Sequence, residues 1–263
     1  MKSMLNIAEE IALKAGKLIN QHIDRLDNIR IASKGYNDYI TEVDKGAENI
    51  IISALKEAFP EHGIISEESK PEGQSNEYCW IIDPIDGTTN FIHGYPQFAV
   101  SIACQRNKET VIGVVYNPCN HELFTAIRGS GAYLNNKRIR VSSTRLVSQS
   151  LIGTGFPFRN PEKIDSYTNV FKEVLKTTSG IRRAGAAALD LAYVACGRLD
   201  GFWEQGLQIW DMAAGCLLIE EAGGFVTDFD NKCHFLKKQE LIAGNKYAHK
   251  ALQTIVKKHL TDN

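Results

Sequence analysis

The chain opens on a helical pattern. Ile7, Ala8, Ile11, Ala15, Leu18, Ile19 and His22 recur at three- and four-residue intervals, which predicts a long first helix with one buried face. Asn28 to Ala32 predicts a short extended piece, and Ser33 to Asp38 a polar loop. A second stripe of Val43, Ala47, Ile50, Ile51, Ala54, Leu55 and Ala58 predicts another helix, stopped before Pro60. Gly63 to Ser66 and Trp80 to Ile82 are short apolar runs of the kind buried strands show. Between them Lys70 to Glu77 reads as a polar, mobile surface excursion. Downstream the segments Ala99 to Gln105, Val111 to Tyr116 and Glu122 to Ile127 are apolar and alternating. Asn117-Pro118 and Gly129-Ser130-Gly131 supply turns, and Leu134-Asn135-Asn136-Lys137 reads as a hairpin. These predict an antiparallel sheet flanked by the first two helices.

The second half alternates differently. Leu151 to Thr154, Ile181 to Arg183, Phe202 to Glu204, Val226-Thr227 and Leu241 to Ala243 read as strands. Helices are predicted around Val170 to Leu175, from Ala186 to Cys196, from Trp210 to Ala222 with Gly223-Gly224 as the stop, and from about Lys246. Strand and helix alternation of this sort is an α/β signal. The polar run Arg140 to Gln149 marks the seam. The expected organisation is an N-terminal α+β half over residues 1–145 and a C-terminal α/β half over 146–263, forming one compact catalytic unit.

Composition narrows the class. With 263 residues the chain can bury a sizeable core. Lys+Arg number 30 against 31 Asp+Glu, so no global charge draws it to nucleic acid or an anionic membrane. No apolar run approaches the about 20 residues a spanning helix needs. The N-terminal segment lacks the apolar core and cleavage site of a leader, so none is expected. Cys79, Cys104, Cys119, Cys196, Cys216 and Cys233 are scattered with no C-x-x-C pair, which points to free thiols in a cytoplasmic protein, with no zinc site.

The chemistry concentrates at Trp80-Ile81-Ile82-Asp83-Pro84-Ile85-Asp86-Gly87-Thr88-Thr89-Asn90-Phe91. Pro84 cannot continue a central strand, so a turn is expected there. Gly87-Thr88-Thr89 can open a helix, with Thr88 or Thr89 as its cap. Carboxylates are hard oxygen ligands for Mg²⁺, and a helix start attracts an anion. Asp83 and Asp86 facing such a start could bring a divalent ion and a phosphate together. Taken singly, either aspartate is more ordinarily a turn residue or a cap; together the pair favours the site.

Asp83-Pro84-Ile85-Asp86-Gly87-Thr88-Thr89-Asn90-Phe91 resembles the first signature of the inositol monophosphatase family. Trp210-Asp211-Met212-Ala213-Ala214-Gly215, followed by Glu220, Ala222, Gly223 and Gly224, is similar to its second. Lys34-Gly35 with Asp38, Thr41 and Asp44 matches the family pattern upstream, and Glu67-Glu68-Ser69 its E-E-S triplet. Details such as Met4 to Ala8, Gly155-Phe156-Pro157-Phe158 and Ala187 to Ala195 are closest to the bacterial SuhB branch, with Gln208 standing where compared members carry a basic residue or His.

The resemblance implies a layered sandwich, α+β or α/β with alternating helix and sheet layers, of the inositol monophosphatase and sugar phosphatase type. It implies a phosphomonoesterase using two or three Mg²⁺ ions and inhibited by lithium. The implied ligands are Glu67, Asp83 and the Ile85 carbonyl for one ion, Asp83, Asp86 and Asp211 for a second, and Glu67 for a weaker third. Thr88 with Asp44 or Glu67 would orient the attacking water. Gly87 and Thr88 would hold phosphate oxygens, and Asp86, Gly185, Ala186, Ala187, Glu204 and Asp211 line the substrate side. Inositol 1-phosphate and related small polyol phosphates are the implied substrates. Phosphatases of adenosine bisphosphate, fructose bisphosphate or NADP are the rivals. A homodimer is implied, and the branch adds a partner in the transcription machinery during ribosomal RNA synthesis.

Overall fold

The computed structural model describes residues 1–35, 38–73, 76–157 and 161–260. Tyr36 and Asn37 of the predicted first loop, Gln74 and Ser75 of the predicted excursion, and Phe158 of the Gly155–Phe158 match lie outside the described residues.

Helix α1 (Lys2–His22) buries Ala8, Ile11, Ala12, Ala15 and Ile19, the face its periodicity assigns. A hairpin of β1 (Ile31–Gly35) and β2 (Asp38–Thr41) leads to α2 (Glu42–Ala58). A seven-stranded sheet follows: β3 (Gly63–Ser66), β4 (Tyr78–Asp86), β5 (Ala99–Arg106), β6 (Glu109–Asn117), β7 (Glu122–Ile127), β8 (Gly131–Leu134) and β9 (Lys137–Arg138), in that spatial order. The short α3 (Thr88–Ile92) leaves the end of β4. The second half holds β10 (Leu151–Thr154), α4 (Ile164–Thr177), β11 (Gly180–Arg182), α5 (Ala187–Ala195), β12 (Gly201–Gln205), α6 (Ile209–Glu221), β13 (Phe225–Thr227), α7 (Phe235–Lys238), β14 (Glu240–Gly244) and α8 (Lys246–Leu260). Its five strands run β11-β10-β12-β14-β13.

Side-chain alternation builds the layers. On β4, Trp80 and Ile82 face α1 and α2, whereas Ile81 faces α5 and α6. On the other sheet, Phe202 and Ala243 join the α5–α6 layer, and Trp203 and Ile242 meet α4 and α8. The order is therefore helix, sheet, helix, sheet, helix. The middle layer is largely apolar: Met212 to Ile219 of α6 are all buried. A helix without a polar face must be covered on every side, and here both sheets cover it. Gly113 of β6 permits the close approach, since a Cβ there would sit 2.8 Å from the Ala214 carbonyl oxygen of α6.

Several local expectations are corrected. Strand β4 does not stop at Pro84. It runs on to Asp86 through a bulge, pairing Asp83 with Ser101 and Asp86 with Ala99, and the bulge accommodates a residue that has no N–H. The large sheet is not wholly antiparallel, because β3 pairs parallel with β4. Neither Thr88 nor Thr89 caps α3; Gly87 does, at φ +94°, and no side chain satisfies the helix start. The early extended piece begins only at Ile31, and Ser33 to Gly35 are strand rather than loop. The turn Asn135-Asn136 is as expected, with φ of +47° and +64° joining β8 to β9.

Candidate active site

The bulge at the end of β4 aims two acids at one spot. Ile85 N donates to Asp83 Oδ1 at 3.0 Å, which fixes the Asp83 side chain. Ala188 N, in the first turn of α5, donates to Asp86 Oδ2 at 2.7 Å. Asp211 comes from the first turn of α6, where its Oδ2 accepts from Gln208 N at 2.7 Å. Carboxylate oxygens of Asp83, Asp86 and Asp211 lie within 4.8 Å of one another. Glu67, just beyond β3, shares a side-chain hydrogen bond with Asp83. The starts of α3, α5 and α6 converge on the cluster, so three positive dipole ends face the same space.

That space is a cavity of about 480 Å³. It is lined by Glu67, Asp83, Ile85, Asp86, Gly87, Thr88, Gly185, Ala186, Ala187, Glu204 and Asp211, every site residue expected from sequence but one. The exception is Asp44, which is fully buried behind Thr88. Thr88 Oγ1 donates to the pair formed by Asp44 Oδ1 at 3.0 Å and the Ile85 carbonyl at 3.1 Å. Asp44 Oδ2 accepts from Thr41 N at 2.7 Å and from the Thr41 hydroxyl, closing a capping box on α2.

Among the lining residues to which the sequence reading gave no site role, three have a defined place. Asn90 Nδ2 donates to Gln97 O at 2.6 Å and Ala184 O at 2.8 Å, tying the α3 turn to the loop before α5. Asp190 stands on the cavity side of α5. An acid inside the otherwise apolar run Ala187–Ala195 was the available signal. Arg183 is the sole lysine or arginine among the described lining residues, and its guanidinium lies 4.8 Å over the Phe156 ring at the rim. Nothing in local spacing marks it.

The electrostatics are those of crowded buried acids. Burial pushes Asp83 well above the usual carboxylate range, helped by Glu67, Asp86 and Asp211. Asp86 is raised likewise by burial and by Asp211, against the Ala188 N–H that lowers it. Glu204 is raised by burial, Asp211 and Asp190. Burial lifts Asp190 to about 8, with Arg183 opposing. Buried like charges without a counter-charge are costly. A donor set of hard carboxylate oxygens converging from separate elements suits a divalent cation such as Mg²⁺, so these residues fit one.

A layered fold with an acidic cluster under convergent helix starts defines a phosphatase of the metal-dependent kind. The chain belongs to the inositol monophosphatase family, whose sequence profile matches residues 1–261. It is 52% identical over 265 residues to the Nus factor SuhB of Pseudomonas aeruginosa, covering 99% of this chain and 98% of that protein. It is 44% identical over 260 residues to the inositol-1-monophosphatase of Mesorhizobium japonicum, covering 98% of each. The crystal structure of the extragenic suppressor protein suhB from Bartonella henselae superposes with a TM-score of 0.95 at 46% identity, over 98% of this chain and 100% of that one.

Proposed function

We propose that the chain is a Mg²⁺-dependent phosphomonoesterase that hydrolyses inositol 1-phosphate and related small polyol phosphates to the polyol and inorganic phosphate. The observation carrying this reading is the Asp83–Asp86–Asp211 cluster at the foot of the cavity. Glu67, Asp83 and the Ile85 carbonyl would hold one cation, Asp83, Asp86 and Asp211 a second, and Glu67 a weaker third. When bound, such ions neutralise phosphate charge and acidify a coordinated water.

The chain's own groups have the remaining tasks. With its O–H directed at Asp44 or the Ile85 carbonyl, Thr88 Oγ1 keeps lone pairs with which to accept a hydrogen bond from a water in the cavity and so orient it. Asp44 acts behind it as orienting partner, and Glu67 is the other candidate for that task. Backbone N–H groups of Gly87 and Thr88 hold phosphate oxygens at the start of α3. Asp86, the Gly185–Ala187 turn, Glu204 and Asp211 hold the substrate's hydroxyls. The reaction needs no covalent phosphoenzyme. Lithium sensitivity, a homodimer and a cytoplasmic location belong to the same reading. Phosphatases for adenosine bisphosphate, fructose bisphosphate or NADP share the metal motifs, and the loops around Gly185 to Ala187 and Glu204 favour inositol.

The test is phosphate release from inositol 1-phosphate against a panel of sugar, nucleotide and bisphosphate esters, with Mg²⁺ titrated and Asp83→Asn as control. Mg²⁺-dependent release that falls at least about a hundredfold in Asp83→Asn supports the reading, as loss of a metal ligand should. No release from any ester would overturn it. A second reading, an accessory to the transcription machinery, is favoured by the name Nus factor borne by relatives. Capture of RNA polymerase or an elongation factor by the purified chain tests it, and both roles can coexist.

A further inference from the structure

Glu48 is a buried acid that the proposed reaction leaves unused. It lies on α2 one turn beyond Asp44, so the two carboxylates share a helix face. Only 4% of Glu48 is exposed. Ser66 Oγ donates to its Oε1, and Ser69 Oγ donates to its Oε2 at 2.7 Å. These two serines bracket Glu67 and Glu68. Glu67 N in turn donates to Ile82 O at 3.2 Å. The turn carrying Glu67 is thus held to β4 through its backbone and to α2 through both of its flanking hydroxyls.

The plain alternative is a core acid that takes whatever hydroxyls lie nearby. Packing alone, however, is served as well or better by an apolar residue of similar volume. Hydroxyl-to-carboxylate bonds away from water are among the stronger ones, and here both span the same short turn. We propose that Glu48 is a positioning residue. By clasping Ser66 and Ser69 it fixes the turn so that Glu67 reaches Asp83, and it thereby sets the divalent-cation affinity of the cluster. One face of α2 would then serve both sides of the site, Asp44 through Thr88 and Glu48 through Glu67. This inference rests on the reading of Glu67 as a cation ligand.

The experiment measures Mn²⁺ binding by electron paramagnetic resonance and Mg²⁺ binding by calorimetry, without substrate. The proteins are the full chain, Glu48→Gln, Ser69→Ala, the double variant, and Ile51→Val as a core control elsewhere on α2. Glu48→Gln should weaken cation binding about tenfold, the low end for partners that orient a metal ligand. Ser69→Ala should weaken it in the same direction, and the double variant no further than Glu48→Gln alone. The Mg²⁺ concentration for half-maximal phosphate release should rise, while the rate at saturating Mg²⁺ stays within about twofold. Affinity in Glu48→Gln within twofold of the unaltered chain, or lowered no more than in Ile51→Val at equal loss of melting temperature, overturns the proposal. Should Glu48→Gln fail to fold, unchanged affinity in Ser69→Ala overturns it. If the unaltered chain binds no divalent cation, the proposed function falls with it; if it binds and only the Glu48 result is negative, the proposed function stands.

Discussion

Asp190 shows what a single acid contributes to the cavity. Its carboxyl sits at about 8 in the folded chain, against an ordinary value near 4, because burial penalises its charge. Between those values the folded chain holds a proton that the unfolded chain has lost. Stability should therefore fall as pH rises from about 4 to about 8, by up to about 1.4 kcal/mol per pH unit for this group. Metal-free protein should melt lower at pH 8 than at pH 5.5, and Asp190→Asn should flatten the dependence; equal slopes in the two proteins would refute the assignment. Gly87 is the other residue whose chemistry is confined. Its φ of +94° and the Gln97 oxygen 2.9 Å from where a Cβ would go leave no room for alanine. Gly87→Ala should cost roughly 1–2 kcal/mol from the left-handed backbone alone and should abolish phosphate release, read by melting and by the inositol 1-phosphate assay. At this scale much of the site was legible. Asp83, Asp86 and Asp211 stand in two dense motifs, and the structure brings their oxygens together. Asn90, Arg183 and Asp190 were not, since what makes each a cavity residue is its neighbours across the fold rather than its spacing along the chain.

Among elements, α6 has the most exacting position. It carries Asp211 at its start and is buried from Met212 to Ile219. Its approach to β6 depends on Gly113, with the Ala214 oxygen 2.8 Å from a prospective Cβ. Gly113→Ala should push α6 outward, destabilise the chain by about 1–3 kcal/mol as overpacking does, and weaken divalent-cation binding by moving Asp211. Denaturant unfolding and Mn²⁺ binding would show both; loss of stability with binding intact would separate the helix from the site. The two amphipathic helices at the start could be read directly, because each buries one face and exposes another, and the hairpin at Asn135-Asn136 because its turn residues suit positive φ. The parallel pairing of β3 and the continuation of β4 past Pro84 could not. Strand direction leaves no trace in alternation, and a bulge is a relation between two strands that are distant in sequence.

Over the whole molecule, the cavity acids and the cation they suit should govern stability together. A ligand bound only by the folded state at a hundred times its dissociation constant adds about 2.7 kcal/mol. Mg²⁺ should accordingly raise the melting temperature of the unaltered chain, and much less that of Asp83→Asn. No Mg²⁺-dependent rise would count against a pre-clustered site. Among the described residues no helix is long and apolar enough to cross a membrane.

The middle helix layer has a consequence for how activity appears during folding. Asp83 and Asp86 hang from the first sheet, while Asp211 rides on a helix of the second half that packs between the two sheets. We propose that neither segment 1–145 nor 146–263 forms the cluster alone, so a half-made chain is catalytically silent. Phosphate release would then mark completion, and a nascent or misassembled copy could not spend cellular phosphate esters before its last layer closes.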